Sequence, residues 1–128
     1  MTDQEALNGF VELHPWEWQE WDIASYHKGG TSCICIFAVW QYHINSGYIV
    51  SSLVGSIPIT EWRLVAGPWI EGRLREMMGK HFYALLRRSE GEVFIVEYHL
   101  FDGSGLRKVE ANTPIQALLA ALEAIREA

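Results

Sequence analysis

The sequence predicts an α+β sandwich, antiparallel strands with helices packed on them, in the order α-βββ-α-βββ-α. Three observations carry that prediction. A capped stretch with helical period closes the chain. β-branched and aromatic runs precede it, separated by turns too short for crossovers. The 128 residues are 49% hydrophobic and 20% charged, which is enough apolar surface for a core. At this length one domain spanning residues 1–128 is expected.

Taken from the N-terminus, "DQEALNGFVEL" places Leu7, Phe10 and Val11 at helical spacing behind a cap at Thr2 or Asp3, and Pro15 ends or restarts the helix. Residues 16–26 read as a strand, joined by "HKGG" to "TSCICIFAVWQYH"; "INSG" then turns that run into "YIVSSLVG". A helical turn near Thr60–Ala66 breaks at Gly67–Pro68. "PWIEGRLREMM" starts with a proline that a first helical turn tolerates and is followed by Gly79, so it reads as a helix. Trp69, Ile70, Leu74 and Met77 fall on one side of it, and the interior Gly72 weakens it. Strands near 81–88, 92–101 and 106–111 follow, divided by the turn signals "SEGE" and "DGSG". The last element is a helix over 114–127. Thr113 is its N-cap, Pro114 its first residue and Gln116, at N3, the partner of Thr113 in a capping box; Ile115, Leu118, Leu119, Leu122 and Ile125 form one apolar stripe.

The formal charge of −6 is unevenly placed: residues 1–27 carry Asp3, Glu5, Glu12, Glu17, Glu20 and Asp22 and no Lys or Arg. Between Glu61 and Arg88 the balance is positive, with Arg63, Arg73, Arg75, Lys80, Arg87 and Arg88 against Glu61, Glu71 and Glu76. Net acidity argues against direct nucleic-acid binding, which needs a cationic face, and favours attraction to a basic partner. No apolar run reaches the roughly 18–20 residues that cross a bilayer. The acidic, polar opening is unlike a signal peptide, and two cysteines do not make a disulfide framework. A cytoplasmic protein without a membrane role is expected, in a cell's own cytoplasm or a host's.

No reaction is spelled out. Cys33 and Cys35 share a strand face and could join His27 or His43 around a metal, but zinc pairs are usually spaced more widely and no second pair exists; ordinary buried thiols explain them better. The histidines follow no ligand motif, although His81 and His99 lie in paired strands and could be neighbours. "DGSG" precedes a strand rather than a helix, so it is no phosphate loop, and G-x-S-x-G is absent. No catalytic residue, no cofactor and no metal site is therefore expected. Arg63, Arg73, Arg75, Arg87 and Arg88 read as a basic patch facing the acidic opening or as solvated charges.

The stretch "HPWEWQEW" stands out. As a strand it puts Trp16, Trp18, Glu20 and Asp22 on one face; as a helix it makes Trp18 and Trp21 neighbours. In neither form can the three rings share a face. Two readings stay open. One is core packing. The other is a partner-binding patch of Trp16, Glu17, Trp18, Glu20, Trp21 and Asp22, whose fitting partner is a protein, such as the basic surface of one that handles nucleic acid. An exposed edge there would also admit a homodimer.

From Ala66 onward, "AGPWIEGRLREMMGKHFYALLRRSEGEVFIVEYHL" and "VEANTPIQALLAALEAI" resemble the phage ABA sandwich domain. Trp69, Arg73 and Leu74 match its first helix, and Ala111, Thr113, Pro114, Ala117, Ala120, Ala121 and Leu122 match its closing step. The resemblance covers about half the chain and implies a layered α/β sandwich of phage origin, with no catalytic residue to carry over. The resulting expectation is a small non-enzymatic phage-type accessory protein acting by protein binding, with inhibition of a bacterial defence factor as its sharper form. Two alternatives remain: an acidic dimeric chaperone similar to class I type III secretion chaperones in charge and element order, and a small metal-dependent or cysteine hydrolase.

Overall fold

The computed structural model describes residues 1–28, 31–36, 44–51 and 55–128. Among them run α1 (Asp3–Leu13), β1 (Ile23–Lys28), β2 (Thr31–Ile36), β3 (Tyr48–Ser51), β4 (Gly55–Pro58), β5 (Trp62–Leu64), α2 (Ile70–Met78), β6 (Phe82–Arg87), β7 (Phe94–His99), β8 (Leu106–Ala111) and α3 (Pro114–Glu127). Every strand pair is antiparallel, so the class is α+β as the sequence predicts. Two compact units result: Met1–Leu13 with Ala66–Ala128, and His14–Val65.

The first unit follows its local signals closely. β6, β7 and β8 form a meander with β7 in the centre, aligning Val96 with Leu85 and Val109, and a bulge lies between Phe82 and Ala84. α3 lies on β7 and β8, and α1 and α2 pack on α3. Ile115, Leu118, Leu119 and Leu122 are buried as the stripe predicts, along with Ala117 and Ala121, while Ile125 is half-buried. Val96 and Tyr98 meet them from the sheet side, and the two other helices contribute Leu7, Phe10, Ile70, Leu74 and Met78. In α2 the buried residue is Met78 rather than Met77. The helix starts at Ile70, after Pro68 and Trp69 have formed a turn, so its inward residues follow four-residue steps from Ile70. Gly79 ends it at φ 56°, a conformation that suits a residue without a Cβ.

The caps tie the sequence-distant parts of this unit together. Thr2 and Glu5 form a complete capping box: Glu5 N donates to Thr2 Oγ1 at 3.1 Å and Thr2 N to Glu5 Oε1 at 3.2 Å. That backbone N–H holds the Glu5 carboxyl below its usual range. At α3, Thr113 Oγ1 accepts from Gln116 N at 3.1 Å as predicted. The reciprocal half of that box is replaced. Gln116 Nε2 donates to Met1 O at 3.1 Å and to Asp3 Oδ1 at 3.2 Å, and the Thr113 hydroxyl donates to Asp3 Oδ1 at 2.6 Å. Gln4 Oε1 also accepts from Ala66 N at 2.8 Å.

The second unit departs from the expected order. Of the predicted 16–26 strand only residues 23–26 are extended, as part of β1, which pairs with β2 on one side and β5 on the other. The helical turn expected over Thr60–Ala66 is instead a short 3₁₀ turn, Ile59–Glu61, followed by β5. Trp62 and Leu64 point inward and Arg63 outward, a two-residue period that serves a strand. The "INSG" turn forms, with Gly47 N bonded to Ile44 O at 3.0 Å. It does not join a β2–β3 hairpin, however: β2 pairs with β1, and β3 pairs with β4. Five described strands therefore stand where three were expected. The core of this unit is Ala24, Tyr26, Ile49 and Trp62, with Trp18, Ile44, Ile57 and Ile59 packed against it. The Tyr26 and Trp62 rings lie 5.5 Å apart, and Trp62 Nε1 reaches Ile57 O at 3.3 Å.

Candidate functional site

Residues 14–22 adopt neither of the two forms weighed for them. They make an irregular segment that ends in a turn at Glu20–Trp21, closed by Asp22 N donating to Gln19 O at 3.2 Å. The organiser is Asp22. Its side chain is 1% exposed, and Oδ2 accepts from Trp16 Nε1 at 2.9 Å and from the Gln19 backbone N at 2.9 Å. An aspartate is short enough to bond a backbone N–H three residues back, which is how such residues shape turns. The chain passes through Trp21 at φ 73°, in the left-handed region that a residue with a Cβ enters at a cost of about 1–2 kcal/mol.

That geometry sorts the expected six-residue patch into two groups. Trp16, 8% exposed, and Asp22 are inside, where they shape the turn. Trp18 is half-buried against the core of its unit. Glu17 and Glu20 are exposed, and Trp21 is 65% exposed. Core packing and surface display are thus both present in one segment. The exposed part is an indole on a braced turn beside two carboxylates. Such a group can stack on a guanidinium or a ring and attract positive charge.

The other sites fare differently. His81, in the 3₁₀ turn Gly79–His81 just before β6 rather than in the strand expected for it, does meet His99 at the end of β7: His81 Nδ1 lies 2.6 Å from His99 O. Both imidazoles pack near Phe101, at 5.4 and 5.5 Å between centroids; Tyr83 meets His99 edge-on at 5.7 Å, and Lys80 Nζ sits 5.2 Å from the Phe101 centroid. Phe101 itself has φ 61° and is 60% exposed, a display that no sequence motif marks. Among the described residues no three His, Cys, Asp or Glu side chains gather as a metal site. Cys33 and Cys35 lie in β2 opposite Tyr26 and Ala24; their side chains and that of His27, and the whole of His43, lie outside what is described. Of the arginines, Arg75 stacks on Phe82 at 5.2 Å, Arg87 on Phe94 at 5.8 Å, and Arg88 pairs with Glu110 at 2.6 Å. No described helix is long and apolar enough to cross a membrane. No family model, no curated protein and no solved structure matches the chain.

Proposed function

We propose that this protein acts without catalysis, by binding another protein through the turn at residues 17–21. The observation that carries this reading is Trp21, 65% exposed on a positive-φ residue that a buried aspartate braces. An exposed indole leaves on the order of 100 Å² or more of apolar surface in water, and the left-handed backbone adds strain. A turn kept in that form is pre-organised for a partner that covers the ring. Glu17 and Glu20 beside it, in an opening of six acids and no base, favour a partner with a basic face, such as a protein that handles nucleic acid. The resemblance of residues 66–128 to the phage ABA sandwich domain supports the more specific form of the reading: a phage-type accessory protein that inhibits a bacterial defence factor.

The test compares the full chain with Trp21→Gly and with Glu17→Lys/Glu20→Lys as bait in bacterial lysate, followed by titration of each against the purified partner. The expected result is a partner whose binding weakens by about tenfold or more for either variant while their melting temperatures stay near wild type. A partner held equally by all three chains, or measurable turnover of a small molecule, would overturn the reading.

A further inference from the structure

Among the described residues β8 is an edge of its sheet, paired with β7 on one side only. All six of its residues, Leu106–Ala111, keep continuous register with β7, with no bulge and no proline. Leu106, Arg107, Lys108 and Glu110 are exposed. The opposite edge, β6, is interrupted by the bulge between Phe82 and Ala84, a device that blunts an edge. A straight strand such as β8 instead leaves every second N–H and C=O along its outer side ready to pair. A lysine on an edge ordinarily discourages that pairing, but the charge of Lys108 is answered two residues on by Glu110.

The side chains of β8 complement a second copy of the same strand. Val109 aligns with the buried Val96, on the face of the sheet that α3 covers. Lys108 and Glu110 therefore share the other face. Two β8 strands running antiparallel about a twofold axis at Val109 set Lys108 of each opposite Glu110 of the other, while the two Val109 side chains meet on the helix side. Moving the axis by one residue sets Lys108 against Lys108 or Glu110 against Glu110, so the charges select one register. Contacts within each chain extend the pattern. Lys108 stands opposite Glu97 of β7, and Glu110 accepts from Arg88 at 2.6 Å while 40% of its side chain remains exposed. Across the joined sheets the row then reads Glu97, Lys108, the partner's Glu110, the partner's Arg88, every neighbour opposite in sign.

We infer that β8 pairs antiparallel with β8 of a second copy of this chain, joining two three-stranded sheets into one of six strands. Backbone pairing supplies the attraction and the two Lys108–Glu110 pairs fix the register. This surface is independent of the turn at residues 17–21.

Sedimentation equilibrium on the full-length chain tests it. Wild type should pass from monomer to dimer between about 1 μM and 1 mM. Alternate amides of Leu106–Ala111 should exchange with deuterium more slowly as concentration rises, because every second N–H faces outward. Lys108→Glu places like charges opposite each other twice across the axis, and so does Glu110→Lys; each should raise the dimer dissociation constant about tenfold or more. An equimolar mixture of these two variants should dimerise about tenfold tighter than either alone, since each chain then meets an opposite charge at both pairs. The double variant K108E/E110K should regain the wild-type dimer. Neither rescue repairs what the substitutions lose inside their own chain, opposite Glu97 and beside Arg88, so weakened folding does not produce this pattern. Trp21→Gly should leave the dimer unchanged. The inference is overturned by a wild type still monomeric at about 1 mM, by β8 exchange that ignores concentration, by a mixture no tighter than its components, or by a dimer that Trp21→Gly dissolves.

Discussion

Two aspartates organise two regions of this molecule in opposite ways. Asp3 accepts hydrogen bonds from Thr113 and Gln116, more than a hundred residues away, and so joins the start of α1 to the start of α3. Both helices already have their own caps, periods and apolar stripes. Asp22 takes donors from Trp16 and Gln19, within six residues, and no repeating backbone pattern holds that segment. The same chemistry, a carboxylate taking two donors, fastens preformed pieces together in one place and creates the local shape in the other. Losing Asp3 should therefore weaken a junction, whereas losing Asp22 should erase the turn that displays Trp21.

Substitutions test that contrast. The largest effect is expected from Asp22→Ala, which leaves the Trp16 indole N–H and the Gln19 N–H without their acceptor. It should cost about 3 kcal/mol in a denaturant titration and shift tryptophan emission to the red. If residues 1–128 fold as one domain, the loss appears in a single transition shared by tryptophan emission and far-UV circular dichroism. Two separate transitions would show that residues 14–65 fold apart. Thr113→Ala comes next, at about 1–2 kcal/mol, because it removes both the α3 cap and one of the donors to Asp3. Circular dichroism should still report a full complement of helix, since the stripe of α3 is intact.

Trp21→Gly should have a smaller effect of opposite sign. Glycine relieves the left-handed backbone, and the added freedom of the unfolded chain offsets part of that gain, so the variant should be stabilised by about 1 kcal/mol or less. A marked loss of stability would move Trp21 from display to packing. The smallest effect concerns pH. Because folding lowers the Glu5 carboxyl below its ordinary value, its contribution is complete above the usual glutamate range and is lost as pH falls through the lowered value. Melting temperatures measured down the acid limb should fall slightly less for Glu5→Gln than for wild type.

Legibility in the sequence followed the range of the forces involved. α3 was readable because its cap, its proline and its stripe all act within one or two turns. The β6–β8 meander was readable because its turns are short. β5 was not: "EWRLVAG" is compatible with a helical turn, and only its pairing with Ala24–Tyr26 makes it a strand. The tryptophan segment was half readable. Its composition showed that three rings could not hide on one face. Which ring would be displayed depended on Asp22 being buried, and an aspartate in an acidic run gives no sign of that.

The sequence alone thus determined the helices with their caps, the meander and the charge imbalance of the first 27 residues, all properties set by neighbours along the chain. Tertiary structure alone decided that Asp22 turns inward, that Trp21 turns outward and that a groove opens between α1 and α3. Each of these depends on which distant groups satisfy a buried polar atom or leave apolar surface uncovered, and spacing within the chain does not encode that choice.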